Sequence, residues 1–193
     1  MKIITTSIYE QLAEVWLGKK RHIWVEGGTA ASKTYSVLQL LILIAQNSKS
    51  KLLISIVSES LPHLRRGAVR DFFNILGESE DNNPKYNKSE HIYNFGNAKI
   101  EFFSADMPDK LRGARRDVLF LNEVNNISYD SFRELDSRTR LCTICDWNPV
   151  SEFFFHEKGL KNALGSYYIH ATYKDALNVV PQEVIDNILA MGE

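Results

Sequence analysis

The sequence predicts an α/β domain with a central, mostly parallel β-sheet flanked by helices. Three observations carry that expectation. Short apolar, β-rich runs alternate along the chain with segments of helical periodicity, the pattern of repeated strand–helix–strand units. The run Lys51–Val57 is continuously β-rich instead of alternating, as a strand covered on both faces must be. The length, 193 residues, suits one compact domain over 1–193.

The elements follow in order. Ile8, Leu12, Val15 and Trp16 recur at helical spacing and define an amphipathic first helix ending near Gly18. His22–Glu26 is a short strand running into Gly27-Gly28, and Lys33–Gln46 is apolar enough for a helix buried on most sides. After the Lys51–Val57 strand, Pro62 fits the first turn of a helix reaching about Leu76. The polar stretch Glu78–Glu90 reads as a loop. Gly96-Asn97 reads as a hairpin turn between His91–Phe95 and Ala98–Phe103. Further strands are expected at Asp117–Leu121, Leu141–Asp146 and Tyr167–Ala171, and helices at Ser128–Asp136 and Pro181–Met191.

Composition narrows the class without choosing a function. With 44% hydrophobic and 24% charged residues the chain is neither disordered nor fibrous. The net charge of −1 advertises no overall basic field, but it is unevenly spread. Residues 1–117 hold 17 basic against 13 acidic side chains, and 118–193 hold 6 against 11, which keeps a local nucleic-acid face open. Cys142 and Cys145 lie in a strand-like run, so they are expected as buried core thiols and not a redox or zinc pair. The longest apolar run, Val37–Ala45, is far below the roughly 20 residues a membrane span needs, and no signal peptide is present, so a soluble intracellular domain is expected.

The strongest chemical signal is Gly27-Gly28-Thr29-Ala30-Ala31-Ser32-Lys33-Thr34. It follows a strand and opens a helix, the context of a loop that wraps a phosphate in backbone N–H groups. Gly27, Lys33 and Thr34 match the Gly-x4-Gly-Lys-Ser/Thr pattern, whereas Ser32 stands where the second glycine belongs. Lys33 is expected on the β/γ-phosphates and the Thr34 hydroxyl on Mg²⁺. A second element, Val118–Glu123, is an apolar strand that ends in Asn122-Glu123 and is expected beside the loop. Glu123 is the candidate base for an attacking water. Asn122 replaces the usual Asp, so its amide oxygen is expected to reach the metal through a water without adding charge.

Lys110–Val124, with its Leu-Arg-Gly run into Asn-Glu, resembles the segment around the Walker B strand of tailed-bacteriophage terminase large subunits. Asp146-Trp-Asn-Pro149 and Thr172-Tyr-Lys-Asp175 resemble two further signatures of that family, and with the loop the four motifs run co-linearly over about residues 20–180. The resemblance implies the N-terminal ATPase domain of a DNA-packaging motor, an ASCE-type P-loop NTPase, without the C-terminal nuclease. It implies ATP and Mg²⁺ as ligands and double-stranded DNA, the small terminase subunit and the portal protein of the procapsid as partners. Self-association into a ring and residence in the host cell cytoplasm follow from the same source. It places Walker A at Gly27–Thr34, a trans-acting finger at Arg112, a coupling residue at Asn148 and an adenine contact at Gln11. Many relatives carry an arginine inside Walker A where this chain has Thr29. Arg65, Arg66 and Arg70 and the Lys19-Lys20-Arg21 cluster are candidate DNA contacts, against ordinary solvated faces. Two alternatives stay open: a non-hydrolysing or weakly hydrolysing nucleotide-binding assembly module, and another ASCE, helicase-like motor.

Overall fold

The computed structural model describes residues 5–107, 113 and 115–190. Within these residues the strands are β1 (His22–Gly27), β2 (Leu52–Ser58), β3 (Tyr86–Asn87), β4 (Ile92–Asn94), β5 (Ala98–Ser104), β6 (Arg116–Leu121), β7 (Thr139–Trp147) and β8 (Ser166–Ala171). They form one sheet in the order β3-β4-β5-β2-β6-β7-β1-β8. From β5 to β8 the pairings are parallel, and the short edge pair β3 and β4 is antiparallel. The mixed α/β architecture with a mostly parallel sheet is therefore the one expected.

Both faces of the sheet are covered, which explains the unbroken apolar runs. In β6, Val118 and Phe120 join a core that includes Ile8 and Leu12 of α1 (Ser7–Leu17), Leu38 and Leu41 of α2 (Lys33–Gln46), and Phe72. The alternate residues Leu119 and Leu121 face the other way, into an aromatic core with Trp24, Phe132, Trp147 and Phe154. Thr6 caps α1 by accepting from the Tyr9 N–H at 3.2 Å and ties it to α2 through Ser36 Oγ at 2.8 Å.

Three local expectations are refined. The helix begun at Leu61 with Pro62 in its first turn is not uniform: α3 (Leu61–Leu64) passes through a π-helical turn, Arg65–Val69, into α4 (Arg70–Leu76). The polar stretch 78–90 contains β3, whose pairing with β4 is not visible as periodicity in two residues. Most important, the end of β6 reaches the loop as expected, at Thr34, but with β7 inserted between β6 and β1. The cysteines lie where expected, both buried and free. Burial pushes the Cys142 thiol up to about 12 and the Cys145 thiol well above its ordinary value, so both are unreactive in the folded state. Among the described residues no helix is long and apolar enough to cross a membrane.

Candidate functional site

Parallel sheets place their ligand crevices outside the carboxyl ends of the strands. Here β1, β7 and β6 end side by side and deliver Gly27, Asp146 and Asn122 to one edge. A cleft of about 990 Å³ opens over that edge, within the upper range for a small-molecule site. Thr29, Ser32, Lys33, Thr34, Asn122, Glu123, Asp146 and Asn148 line it, together with Arg66 and Arg70 of the helical segment that follows β2.

The loop's residues divide into structural and ligand-facing roles. A Cβ on Gly27 would sit 2.0 Å from the Ala171 carbonyl oxygen, so glycine is required there by the approach of β8. Gly28 has open space around it. Thr29–Ala31 make a single 3₁₀ turn, closed by the Ala31 N–H donating to Gly28 O at 3.2 Å. Ser32 then takes a left-handed conformation, φ 54° and ψ 27°, and α2 starts from it with its N-terminal, positive end at the cleft.

Lys33 is 6% exposed, and its ammonium donates to Gly27 O at 2.6 Å, Gly28 O at 2.9 Å and Asn148 Oδ1 at 2.8 Å. Burial lowers its pKa, opposed by the charges of Asp146 and Glu123. Asn148, for which the resemblance implies a coupling role, is thus brought to the loop lysine. Asp146 was not assigned a role from sequence. Its carboxylate accepts from the Thr34 hydroxyl, from Asn122 Nδ2 at 3.0 Å and from the Glu123 N–H at 2.8 Å. Burial raises its pKa, while the Thr34 and Glu123 donors and the charge of Lys33 pull the other way. Its importance depends on the insertion of β7 between β1 and β6, which local sequence does not encode.

Glu123 also adopts a left-handed backbone, φ 54° and ψ 55°, a strained state typical of functional turns. This turns its carboxylate into the cleft, where His63 Nε2 lies 3.1 Å away and Asn126 Nδ2 donates at 3.3 Å. Asn122 lines the cleft, but its amide oxygen, expected to reach a metal-bound water, is engaged by Ser58. Its Oδ1 accepts from Ser58 Oγ at 3.1 Å, and its Nδ2 points at Asp146 and Thr34.

No family model and no curated protein matches the chain. Solved structures do match. The large terminase of a thermophilic bacteriophage gives a TM-score of 0.81 at 14% identity, over 99% of this chain and 51% of that one. The same protein in complex with ATP-gamma-S gives 0.79 at 15% identity, over 98% and 50%. The ATPase domain of the Thermus phage P74-26 large terminase gives 0.56 at 14% identity, over 81% and 79%. The fold is that of a large terminase ATPase domain. The chain spans about half the length of the first of these terminases.

Within this terminase fold the remaining candidates separate. Gln11 is half-buried on α1 and does not line the cleft. Arg112 lies outside the described residues. Of the basic residues considered for DNA, Arg66 and Arg70 line the cleft, and Arg65 pairs with Glu80 at 3.4 Å. Arg21 is engaged by Asp136 at 2.9 Å. Arg116, at the start of β6, is only 2% exposed. It serves the core, donating to Ser55 Oγ at 3.0 Å and to the Leu135 carbonyl at 3.0 Å.

Proposed function

We propose that this chain is the ATP-hydrolysing unit of a viral DNA-packaging motor. The observation that carries the reading is the convergence of Lys33, Thr34, Asn148 and Glu123 on one cleft at the carboxyl edge of a parallel sheet. Among these, Lys33 would leave the carbonyls of Gly27 and Gly28 for the β/γ-phosphate oxygens, and the first N–H groups of α2 would complete the cradle. Asn148, freed from Lys33 in the same exchange, would sense the γ-phosphate. Glu123 would orient a water and accept its proton as the water oxygen bonds to the γ-phosphorus and the bridging oxygen leaves with ADP. His63 and Asn126 hold that carboxylate in the cleft.

A bound Mg²⁺ would neutralise charge on the phosphates, and the donor set suits it: the Thr34 hydroxyl and a buried carboxylate are hard oxygen ligands in mutual contact. Arg66 and Arg70, which also line the cleft, would add positive charge in cis, where Thr29 leaves the loop without an arginine. Coupling to double-stranded DNA, ring assembly, contacts with the small subunit and the procapsid portal, and a trans-acting Arg112 rest on the sequence resemblance. They describe the protein at work in the host cytoplasm.

Phosphate release from Mg·ATP by wild type, Glu123→Ala and Lys33→Ala tests the reading. Glu123→Ala is expected to bind nucleotide and to lose about 10²–10⁴ in turnover, while Lys33→Ala loses nucleotide affinity. Equally slow hydrolysis by wild type and Glu123→Ala under assembly conditions would contradict it and favour a nucleotide-binding assembly module.

A further inference from the structure

Asp146 ends β7, the strand inserted between the loop strand and the strand of Glu123. Its side chain is buried, at 1% exposure, and each of its hydrogen-bond partners is neutral: the Thr34 hydroxyl, the Asn122 amide and the Glu123 N–H. Among the described residues no cation touches it, since the Lys33 ammonium is engaged by two carbonyls and Asn148. Buried carboxylates are ordinarily paired with a cation or bound to a metal. Next to it, β6 presents Asn122 where a carboxylate is usual. A carboxylate can only accept, so the Asn122 amide must turn its NH₂ toward Asp146 and its oxygen toward Ser58. Asn122 therefore offers the site hydrogens and no lone pair.

We infer that Asp146, and not Asn122, supplies the negative charge of the Mg²⁺ site, together with the Thr34 hydroxyl. The inference rests on the nucleotide reading above and deepens it. Mg²⁺ is usually held by one or two carboxylates plus substrate phosphates. The Thr34 and Asp146 oxygens already touch, so both can reach one small cation once the hydroxyl proton turns aside. Asn122 Nδ2 and the Glu123 N–H hold the other carboxylate oxygen and fix its orientation, the part outer partners play around metals. Asn122 is then a positioning residue. The charge missing from β6 has moved one strand along the sheet.

Calorimetric binding of a non-hydrolysable ATP analogue, with Mg²⁺ and with EDTA, tests this without turnover. Electron paramagnetic resonance of Mn²⁺ added with the analogue reports the ion directly. Wild type is expected to bind the analogue more tightly with Mg²⁺. Asp146→Asn should lose that enhancement, about 10–100-fold, while keeping its EDTA affinity and leaving Mn²⁺ free. The exchange Asn122→Asp with Asp146→Asn, which returns the carboxylate to β6, should restore both. A folded Asp146→Asn protein with the wild-type Mg²⁺ enhancement would overturn the inference and leave the nucleotide site standing. Should Asp146→Asn fail to fold, the exchanged variant decides: folded without Mg²⁺ enhancement, it overturns the inference. A wild type that binds no analogue in either condition sinks the nucleotide reading and this inference together.

Discussion

Ser32 sits at the turn of the loop with a left-handed backbone and no side-chain cap on α2. A left-handed residue with a Cβ costs about 1–2 kcal/mol, and glycine removes that cost while adding about 0.5–1 kcal/mol of chain entropy to lose. Ser32→Gly is accordingly expected to stabilise the protein by up to about 1 kcal/mol, a rise of roughly 2–4 °C in Tm. Differential scanning calorimetry checks it, and a lower Tm would show that the serine is not strained. The same reasoning explains why the loop was legible at this position: the motif requires a residue that tolerates φ > 0, and Ser32 does so under strain. Lys33, Thr34 and Glu123 were legible because their chemistry is written in short contiguous segments. His63 was not, because its meeting with Glu123 joins residues from two elements separated by β3 to β6.

The elements themselves show what periodicity carries. Strands buried on both faces and the apolar α2 were readable because burial sets their composition. The π-helical turn at Arg65–Val69 was not, since a local change of helical pitch leaves no distinct pattern. It nevertheless matters, because Arg66 and Arg70 reach the cleft from this segment. The β3–β4–β5 edge is held in part by a polar device. Glu78 accepts from the Tyr93 hydroxyl at 2.7 Å, from Asn83 Nδ2 at 2.8 Å and from Lys85 at 2.9 Å. The Tyr93 bond first, then Asn83 and Lys85, hold its carboxyl down at about 2 against an ordinary 4.5. A depressed carboxylate contributes stability above its unfolded pKa and loses it as pH falls through the folded one. Glu78→Gln should therefore cost about 1–2 kcal/mol at neutral pH, allowing for its partial exposure. That difference should vanish as pH falls from about 4.5 to about 2. Urea unfolding of both proteins across this range measures it; a pH-independent difference would mean that Glu78 acts through packing.

At the scale of the whole molecule the decisive fact is strand order. Placing β7 between β1 and β6 sets Asp146 and Asn148 against the loop, in a cleft that Glu123, Arg66 and Arg70 also line. No local window of sequence contains that order, so the site was legible in its motifs and not in its assembly. The fold shared with large terminase ATPase domains at 14–16% identity makes the same point, because the architecture outlasts most of the residues that build it. On the proposed function, this edge of the sheet binds Mg·ATP. A crystal structure with a non-hydrolysable ATP analogue and Mg²⁺ tests it most directly. Phosphates are expected along residues 27–34, with the Lys33 ammonium moved from the Gly27 and Gly28 carbonyls onto them and the ion held by Thr34 and Asp146. An analogue bound elsewhere, or a Lys33 still on its own loop beside a bound triphosphate, would contradict it.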